Sequence, residues 1–381
     1  MTQKIIIYSH NSGVTGSWDD ELFKFLKFKN SNILKIDFPF GENSIKSIRV
    51  VNIKNNIETK KFEAKIKFSS PEILSYIKDF LYGLIYGLKF SKGTSLFFGL
   101  DNLLVLIGLF FKKIKFIKKV AYVIFDYTPI RFNNRFINNI YNFIDRICLY
   151  NSDYVLPLNL KMIEGRIMDR NLDRFRIKNI IETPFGNNSL KRKNSEYMNY
   201  NKNTLVYFGD LIRSKGIELF IPVALEMINR KIFDFQFYII GGGEIDYLND
   251  TVKKFNLENY FKIYGSIINH ITVEKILMTC GIAIAPYSSI DKNNFSFYAD
   301  PGKVKFYLGC GLPIVITDVP LIAKDIEKNQ SGLIAEYNSV DFCNKIIFIL
   351  NNYDLFKRNA IKFGKEFDWN VIFRKSLKEI I

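Results

Sequence analysis

Short apolar runs alternate along the chain with longer segments in which apolar residues recur every three or four positions. The runs have the length of strands, and the longer segments have the periodicity of amphipathic helices. Lys4–Tyr8 is a run of the first kind, and Asp19–Lys29 is a segment of the second kind. A repeated order of strand and helix predicts parallel sheets with helices on both faces.

The first half of the chain continues this alternation. Further strands are predicted at Ile33–Phe38, Leu96–Leu100, Lys119–Phe125, Tyr154–Leu156 and Ile177–Glu182. Helices are predicted at Pro71–Phe90, Leu103–Phe111, Asn133–Tyr150 and Leu160–Met168. Between them, Ser47–Phe68 alternates polar and apolar residues, which predicts an inserted hairpin.

The polar segment Gly186–Asn203 has no periodicity and predicts a linker, after which the alternation restarts. The strands predicted there are Thr204–Phe208, Asp234–Ile240, Phe261–Tyr264, Ile282–Pro286, Pro313–Thr317 and Gly332–Ala335. The helices are Gly216–Arg230, Tyr247–Phe255, His270–Thr279, Gly302–Cys310, Val340–Asn351, Asp354–Lys365 and Trp369–Ile381.

The fold class we expect is α/β, with two doubly wound Rossmann-like domains that face each other across a cleft. We place the N-terminal domain at residues 1–194 and the second at 195–365, and we expect the C-terminal helix within 366–381 to pack back toward the first domain. A chain of 381 residues is longer than one hydrophobic core usually supports, which favours two domains. Ligands of such sheets bind at the carboxyl ends of the strands, so we expect the site in the cleft.

One apolar stretch, Ser95–Phe111, is long enough to suggest a membrane span. Asp101 and Asn102 lie inside it, and a carboxylate within hydrocarbon is costly. A buried strand, a turn and a buried helix fit the stretch better. The first residues, Met1–Tyr8, have the pattern of a strand and lack that of a signal peptide. We therefore expect a cytoplasmic protein.

The net charge of +16 is concentrated in the first half. Residues 1–195 contain 32 Lys or Arg and 17 Asp or Glu, a net charge of +15, which leaves +1 for the rest. Such asymmetry indicates an anionic partner of the first half. We expect a lipid surface, because no recognised nucleic-acid-binding motif accompanies the charge. The basic cluster Lys112, Lys113, Lys115, Lys118 and Lys119 would place the protein peripherally on the inner face of the cell membrane, unless it is only a solvated helix end.

Cysteine and histidine are too sparse for a redox or metal centre. Cys148, Cys280, Cys310 and Cys343 are far apart and lie in apolar segments, as reduced core thiols do, and the chain has only two histidines. No acidic pair resembles a cation site of DxD type. We expect no cofactor and no metal.

Several segments of the second half come in an order and spacing that resemble a known family. They are Val206–Gly216, Phe237–Gly243, Ile263–Ser266, Ile282–Tyr287 and Asp300–Thr317, with Phe367–Trp369 near the C-terminus. Together they resemble the nucleotide-sugar domain of the group 1 glycosyltransferases, which are mostly retaining enzymes of the GT-B fold. In the first half, Tyr122–Phe132 and Ile140–Asp145 are similar to a subgroup with a DYxPxRF segment.

The resemblance implies transfer of a sugar from a nucleotide-diphosphate sugar to a glycan or lipid-linked acceptor, with retention and without metal. The first domain would bind the acceptor and the second the donor, in synthesis of a cell-surface polysaccharide or glycoconjugate. Two other functions stay open. One is a non-catalytic subunit that binds nucleotide sugar or scaffolds a partner, and the other is a sugar-nucleotide epimerase, for which only His10 is suitably placed among the histidines.

Positive charge at the donor diphosphate is expected from the segment after the strand Thr204–Phe208. The family's lysine contact falls on Lys215, in front of a glycine at a helix start. The family's arginine falls on Asp210, directly after Gly209, and Arg213 is the candidate to replace it. The alternative is that both basic residues are merely solvated.

The loop Tyr298–Lys303 precedes a helix whose N–H groups could hold sugar hydroxyls or the diphosphate. The family usually has two glutamates here, and their positions fall on Tyr298 and Phe306. Asp300 could take over one catalytic role, or it could be a helix N-cap ahead of Pro301. The other donor-binding candidates of the loop are Tyr298, Pro301, Gly302 and Lys303.

Glycines at other strand ends let a ligand approach the backbone. Gly13 and Gly16 lie between the first strand and the first helix, where the family contacts the donor. Gly209, Gly241, Gly265 and Ser266 follow three strands of the second half and are expected to bind the donor near the nucleotide.

In the first half, carboxylates end two predicted strands. Asp126 follows Tyr122–Phe125 and is our candidate for a catalytic residue, as a base for the acceptor. Asp101 has a similar position after Phe97–Leu100. Helix capping is the alternative for both.

Overall fold

The structure is a computed structural model that describes residues 3–11, 16–29, 32–39, 47–54, 57–63, 72–191, 199–267, 269–288 and 295–381. The chain divides into two compact units. The first consists of Met1–Thr183 together with Ser376–Ile381, and the second is Pro184–Lys375. The predicted boundary at 194/195 lies in 192–198, outside the described residues.

The first unit contains a sheet in the order β4-β3-β2-β1-β5-β6-β7. Its strands are β1 Ile5–Asn11, β2 Asn32–Pro39, β3 Arg49–Lys54, β4 Ile57–Glu63, β5 Thr94–Leu100, β6 Ile117–Ile124 and β7 Tyr154–Pro157. The helices around it are α1 Trp18–Lys29, α2 Glu72–Phe90, α3 Asn102–Lys113, α4 Arg135–Asn151 and α5 Lys161–Arg170. β1, β2, β5, β6 and β7 pair in parallel, whereas β3 and β4 are added antiparallel. The predicted hairpin is thus confirmed.

The second unit contains a parallel sheet in the order β10-β9-β8-β11-β12-β13. Its strands are β8 Thr204–Phe208, β9 Gln236–Ile240, β10 Phe261–Gly265, β11 Ile282–Ala285, β12 Ile314–Ile316 and β13 Gly332–Ile334. Its helices are α6 Phe220–Asn229, α7 Ile245–Lys254, α8 His270–Met278, α9 Phe295–Tyr298, α10 Gly302–Gly309, α11 Ile322–Lys328, α12 Ser339–Asn351, α13 Tyr353–Gly364 and α14 Trp369–Ser376.

Successive residues of the second sheet are buried in two different cores. Leu205 and Tyr207 belong to one apolar cluster, whereas Val206 belongs to another. Ile239 and Ile240 divide between the two clusters in the same way. Because side chains alternate between the faces of a strand, both faces of this sheet are covered, which requires apolar residues throughout each strand. The strand order reverses between β8 and β11, the position at which doubly wound sheets bind ligands.

The start of the predicted linker is packed into the second unit. Asn187 is buried, and its side-chain amide donates to the carbonyls of Lys305 (3.0 Å) and Gly364 (2.9 Å). Its backbone N–H donates to Phe367 O at 2.7 Å. A polar side chain that satisfies buried backbone carbonyls leaves no apolar periodicity, so sequence pattern could not distinguish it from a solvated linker.

Two predicted helices are shorter in the structure. The segment predicted from Gly216 begins with a 3-10 turn, Ile217–Leu219, and becomes α6 at Phe220, with Pro222 in its first turn, where a missing N–H costs nothing. α14 ends at Ser376, whose hydroxyl donates to Glu182 O at 3.0 Å. Ile177–Glu182 forms an isolated bridge, Val155 with Ile180, and no strand.

Candidate functional site

The carboxyl ends of β8, β9 and β10 are joined through glycine backbones in the second unit. Gly209 N donates to Ile240 O at 2.9 Å, and Gly241 N donates to Gly265 O at 2.8 Å. A Cβ on residue 241 would lie 1.8 Å from Gly209 O, and Gly209 has a φ of 140°. Only glycine fits these two positions, so the predicted strand-end glycines Gly209, Gly241 and Gly265 are adjacent.

The loop between β9 and α7 lies beside Ser266, another residue predicted to bind the donor. Gly242 O accepts a hydrogen bond from Leu211 N at 2.7 Å, which joins the loop to the segment after β8. A Cβ on Gly242 would lie 3.5 Å from Ser266 Cβ. Gly265 and Ser266 thus lie beside the triple-glycine turn.

Lys303 is the cation closest to Gly209. It lies in the first turn of α10, where Pro301 occupies the N-cap position and Gly302 begins the helix. Its Nζ atom would be 3.5 Å from a Cβ on Gly209, and it lies 4.1 Å from the ring centroid of Tyr207 and 4.8 Å from that of Tyr287. The ammonium group therefore sits between two aromatic rings at the switch point of the sheet.

The amino group of Lys303 is buried, and among the described residues it forms no ion pair. Its Nζ has no hydrogen-bond partner within the ranges that the structure describes. Burial lowers the pKa of Lys303 well below its ordinary value, the nearby Lys215 lowers it further, and Asp210 only partly opposes the shift. A buried amine in this state strongly favours an incoming anion, because the anion restores both the hydrogen bonds and the charge.

Lys215 lies in the 3-10 turn Arg213–Lys215 that follows β8. Its ammonium group forms an ion pair with the carboxylate of Asp210, the residue that stands where the family has arginine. The backbone carbonyl of Asp210 accepts a hydrogen bond from Tyr207 OH at 2.8 Å. Asp210 thus holds Lys215 near the aromatic ring that contacts Lys303.

Arg213 is placed differently. Its side chain is 67 % exposed, its Nε lies 3.5 Å from Glu244 Oε2, and its guanidinium lies 5.0 Å from the ring centroid of Tyr247. The structure thus directs Arg213 toward the start of α7.

Asp300 and Tyr298 are buried at the amino end of α10. One carboxylate oxygen of Asp300 pairs with the ammonium group of Lys305, and the other accepts a hydrogen bond from Phe185 N at 2.7 Å. The N-cap of α10 is Pro301, so Asp300 is not the cap. Tyr298 ends α9, with its ring 4.9 Å from that of Phe297.

Three tyrosines of this site were not predicted from the sequence. Tyr207 and Tyr287 face Lys303, and Tyr307 joins α10 to β8, since its hydroxyl accepts from Phe208 N at 2.6 Å and donates to Phe208 O at 3.1 Å. In the sequence, Tyr207 and Tyr287 are tyrosines at or next to strand ends and Tyr307 is a tyrosine inside a helix, and neither pattern reveals what the ring contacts.

The candidates of the first unit lie at the corresponding edge of its own sheet. Asp126 accepts a hydrogen bond from Arg131 Nη1 at 3.1 Å, and its side chain is 37 % exposed. Asp101 is the N-cap of α3 and accepts from Leu104 N at 3.0 Å, which confirms helix capping for this residue. Gly16 precedes α1 with a φ of 77°, and Gly13 lies outside the described residues.

His10 lies between two carboxylates at the end of β1. Its Nδ1 pairs with Asp101, and its Nε2 lies 3.4 Å from Asp79 Oδ2. Burial alone would lower the pKa of His10, but the two carboxylates outweigh it and raise the pKa to about 9. His10 is therefore an imidazolium at neutral pH, which makes it a poor general base.

The basic cluster around the end of α3 is only partly engaged within the protein. Lys112 Nζ lies 2.7 Å from both oxygens of Asp153, and Lys119 Nζ donates to Tyr154 OH at 2.8 Å. Lys113, Lys115 and Lys118 are exposed. In the described ranges, no helix has the length and apolarity to cross a bilayer, and no three His, Cys, Asp or Glu side chains converge as ligands of a metal ion.

Residues 202–352 match the family model described as "Glycosyl transferases group 1". For this segment, the match supports the group 1 glycosyltransferase family. The segment contains β8 to β13 and most of the site described above. The DYxPxRF subgroup stays a prediction. A search of curated proteins gives no significant match.

Solved structures with a similar fold are glycosyltransferases. Sucrose-phosphate synthase from Thermosynechococcus elongatus aligns over 99% of this chain and 98% of its own, with a TM-score of 0.71 and 15% identity. Anabaena HepE in complex with UDP aligns over 98% and 99%, with a TM-score of 0.68 and 13% identity. The lipopolysaccharide outer core galactosyltransferase WaaB aligns over 100% of both chains, with a TM-score of 0.64 and 12% identity. These likenesses confirm the predicted fold class, two Rossmann-like domains of the GT-B type.

Proposed function

We propose that this protein is a glycosyltransferase that uses a nucleotide-diphosphate sugar, and that Lys303 is the main counter-ion of the donor diphosphate. The observation that carries the proposal is the buried ammonium group of Lys303 at the switch point of the second sheet, without a hydrogen-bond partner among the described residues. Doubly wound sheets bind nucleotides at this position. The HepE structures were solved with UDP and with UDP-glucose, which favours a uridine nucleotide as the first donor to test.

The chemistry requires positive charge at the leaving group. When the bond between the anomeric carbon and the diphosphate oxygen breaks, negative charge develops on that oxygen, and an adjacent ammonium group stabilises it most in the transition state. Lys303 supplies that charge in a site shielded from water. Lys215 and the amino-terminal end of α10 supplement it.

The finer features of the reaction belong to the same proposal. The acceptor is a glycan or lipid-linked hydroxyl that the first unit binds, with Asp126 near it, and the transfer proceeds with retention and without a metal ion. The product belongs to a cell-surface polysaccharide or glycoconjugate, and the enzyme works in the cytoplasm at the membrane. These features are supported by the family resemblance and by the basic first unit.

A second candidate is a non-catalytic protein that binds nucleotide sugar. One observation favours it. The two glutamate positions of the family are Tyr298 and Phe306 here, and the nearby Asp300 is engaged by Lys305 and Phe185 N. Both functions predict donor binding at Lys303, and only the first predicts turnover.

The test combines binding and turnover in the purified protein. UDP-, GDP- and dTDP-sugars are screened for thermal stabilisation, and the stabilising donor is then incubated with lipid-linked acceptors while release of nucleoside diphosphate is measured. We expect one nucleotide class to stabilise the wild type and to be turned over, and Lys303→Met to lose both responses. Stabilisation of Lys303→Met equal to that of the wild type would contradict the proposed site. Binding without turnover would select the second candidate.

A further inference from the structure

The outer face of α2 is an exposed apolar stripe. Its members are between 43 % and 62 % exposed and recur at three- and four-residue spacing: Ile73, Leu74, Ile77, Leu81, Ile85 and Leu88. An apolar stripe of this length on a helix surface normally lies against another part of the protein. Here it faces outward over almost the full length of the helix, Glu72–Phe90.

The opposite face of α2 explains why this stripe is the outer one. A Cβ on Gly83 would lie 2.4 Å from Ile107 Cδ1, and a Cβ on Gly87 would lie 2.0 Å from Phe111 Cε2. The two glycines therefore let α2 pack closely against α3. Because Gly83 lies against Ile107 and Gly87 lies against Phe111, the two helices run in the same direction. Their C-terminal turns are therefore adjacent.

An apolar groove continues from the stripe at this end. It has a volume of about 900 Å³ and lies between α2, α3 and α4. Leu88 belongs to both the stripe and the groove, and Phe110, Lys112 and Lys113 line the groove at the end of α3. The groove therefore combines an apolar floor with cationic groups at one end.

Basic residues outnumber acidic residues in this region. The segment 73–151, which is described throughout, contains eleven Lys or Arg and four Asp, a net charge of +7. Each of the four carboxylates has a cationic partner within the protein: Asp79 with Lys78, Asp101 with His10, Asp126 with Arg131, and Asp145 with Arg166. Lys92, Lys113, Lys115 and Lys118 are exposed on the surface.

We propose that the first unit docks on an anionic lipid bilayer, with the α2 stripe in the interface and the lysines at the ends of α2 and α3 on the headgroups. An apolar helix face bordered by lysines is the pattern of helices that lie in the plane of a membrane surface. The groove between α2, α3 and α4 then accommodates the end of an acyl chain. A second copy of this chain fits less well, because a two-fold dimer would place the same lysines opposite one another.

This docking goes beyond the proposed donor site and is tested separately from it. The purified protein is floated with vesicles of phosphatidylcholine and phosphatidylglycerol, and with vesicles of phosphatidylcholine alone. We expect the wild type to float with the anionic vesicles at low salt and to be released at high salt, because the Debye length shortens.

Two variants separate the apolar and the charged contributions. Ile77→Gln/Leu81→Gln/Ile85→Gln removes three exposed apolar side chains and should weaken partitioning by roughly a hundredfold. Lys113→Gln/Lys115→Gln/Lys118→Gln should weaken it by roughly fivefold per lysine on anionic vesicles only. The matched control, Phe233→Gln/Ile271→Gln/Phe348→Gln, alters similarly exposed apolar residues of the second unit and should float like the wild type.

A cooperative thermal transition like that of the wild type verifies that each variant is folded, and Lys303→Met should float like the wild type. A failure of donor binding is thereby distinguished from a failure of docking. The proposal is overturned if the wild type does not float with anionic vesicles, if neutral vesicles bind it equally well, or if the α2 variant floats unchanged. It is also overturned if gel filtration shows a dimer that the α2 variant converts to a monomer.

Discussion

Each unit has a basic side chain at the carboxyl edge of its sheet. The two side chains differ in how many carboxylates lie beside them. In the first unit, His10 lies between Asp79 and Asp101, and their carboxylates raise its pKa to about 9. In the second unit, Lys303 is buried against Tyr207 and Tyr287, and its pKa is lowered well below its ordinary value. One unit therefore has a histidine paired with two carboxylates at this edge, and the other has a buried amine whose Nζ has no hydrogen-bond partner in the described residues.

The difference indicates which unit is preorganised for an anion. A cation that is already paired with two carboxylates gains little free energy from binding a phosphate, because the carboxylates would repel the phosphate. The buried amine of Lys303 has lost its water and has no hydrogen-bond partner in the described part of the chain, so a diphosphate restores interactions that folding removed. The comparison thus supports our proposal that the second unit binds the anionic part of the donor.

The largest effect is expected from Lys303→Met. The substitution keeps most of the side-chain volume and removes the charge, so affinity for the nucleoside diphosphate should fall by about a thousandfold, or about 4 kcal/mol. The empty protein should become more stable, because a buried amine whose Nζ has no hydrogen-bond partner in the described residues has been replaced by an apolar group. Titration calorimetry measures the first change and chemical denaturation the second. A loss of stability would indicate a structural role for Lys303.

Lys305 is the matched control on the same helix. It is also buried, but it is paired with Asp300, so Lys305→Met leaves a carboxylate without its cation. We expect the free energy of unfolding to fall by about 4 kcal/mol, opposite in sign to the change in Lys303→Met. If both variants shifted stability in the same direction, the contrast between the two lysines would be wrong.

His10 should make stability depend on pH. Its pKa is about 9 in the folded protein and about 6.5 when unfolded, so its contribution is complete below pH 6.5 and is lost as the pH rises through 9. The pKa difference corresponds to about 3 kcal/mol. We expect urea denaturation to show this decline in the wild type and a flatter profile in His10→Gln. Equal slopes in the two proteins would exclude a charged His10.

The smallest effect is expected from Arg213→Gln. Because its side chain is two-thirds exposed and lies near Glu244, its charge is screened by solvent and by a carboxylate. Donor affinity should fall less than fivefold, or by no more than about 1 kcal/mol. A loss as large as that of Lys303→Met would place the diphosphate near α7 instead.

The fold was predictable because its signals are local. Buried parallel strands such as β8 and β11 are apolar throughout, and the helices between them have the expected period. The positions of Gly209, Gly241 and Gly265 followed from glycines at strand ends. These features depend on neighbours in sequence.

The properties of individual site residues were harder to predict because they depend on contacts distant in sequence. Lys303 and Lys305 look alike in the chain, and only the folded positions of Asp300 and Tyr207 distinguish a paired lysine from an unpaired one. The carboxylates on both sides of His10 belong to Asp79 and Asp101, and no sequence motif connects these three residues. Sequence pattern gives the position of a strand end but not the charges that surround it.

The central claim is that the buried amine of Lys303 binds the diphosphate of the donor. Proton uptake during ligand binding tests it most directly. A diphosphate should raise the lowered pKa of Lys303, so UDP, or whichever nucleoside diphosphate the screen selects, should bind together with a proton. Calorimetric titrations in buffers of different ionisation enthalpy measure that proton. We predict uptake in the wild type, with affinity falling as the pH rises, and no uptake in Lys303→Met. Identical proton uptake in the two proteins, or none in the wild type across the range in which Lys303 titrates, would contradict the account.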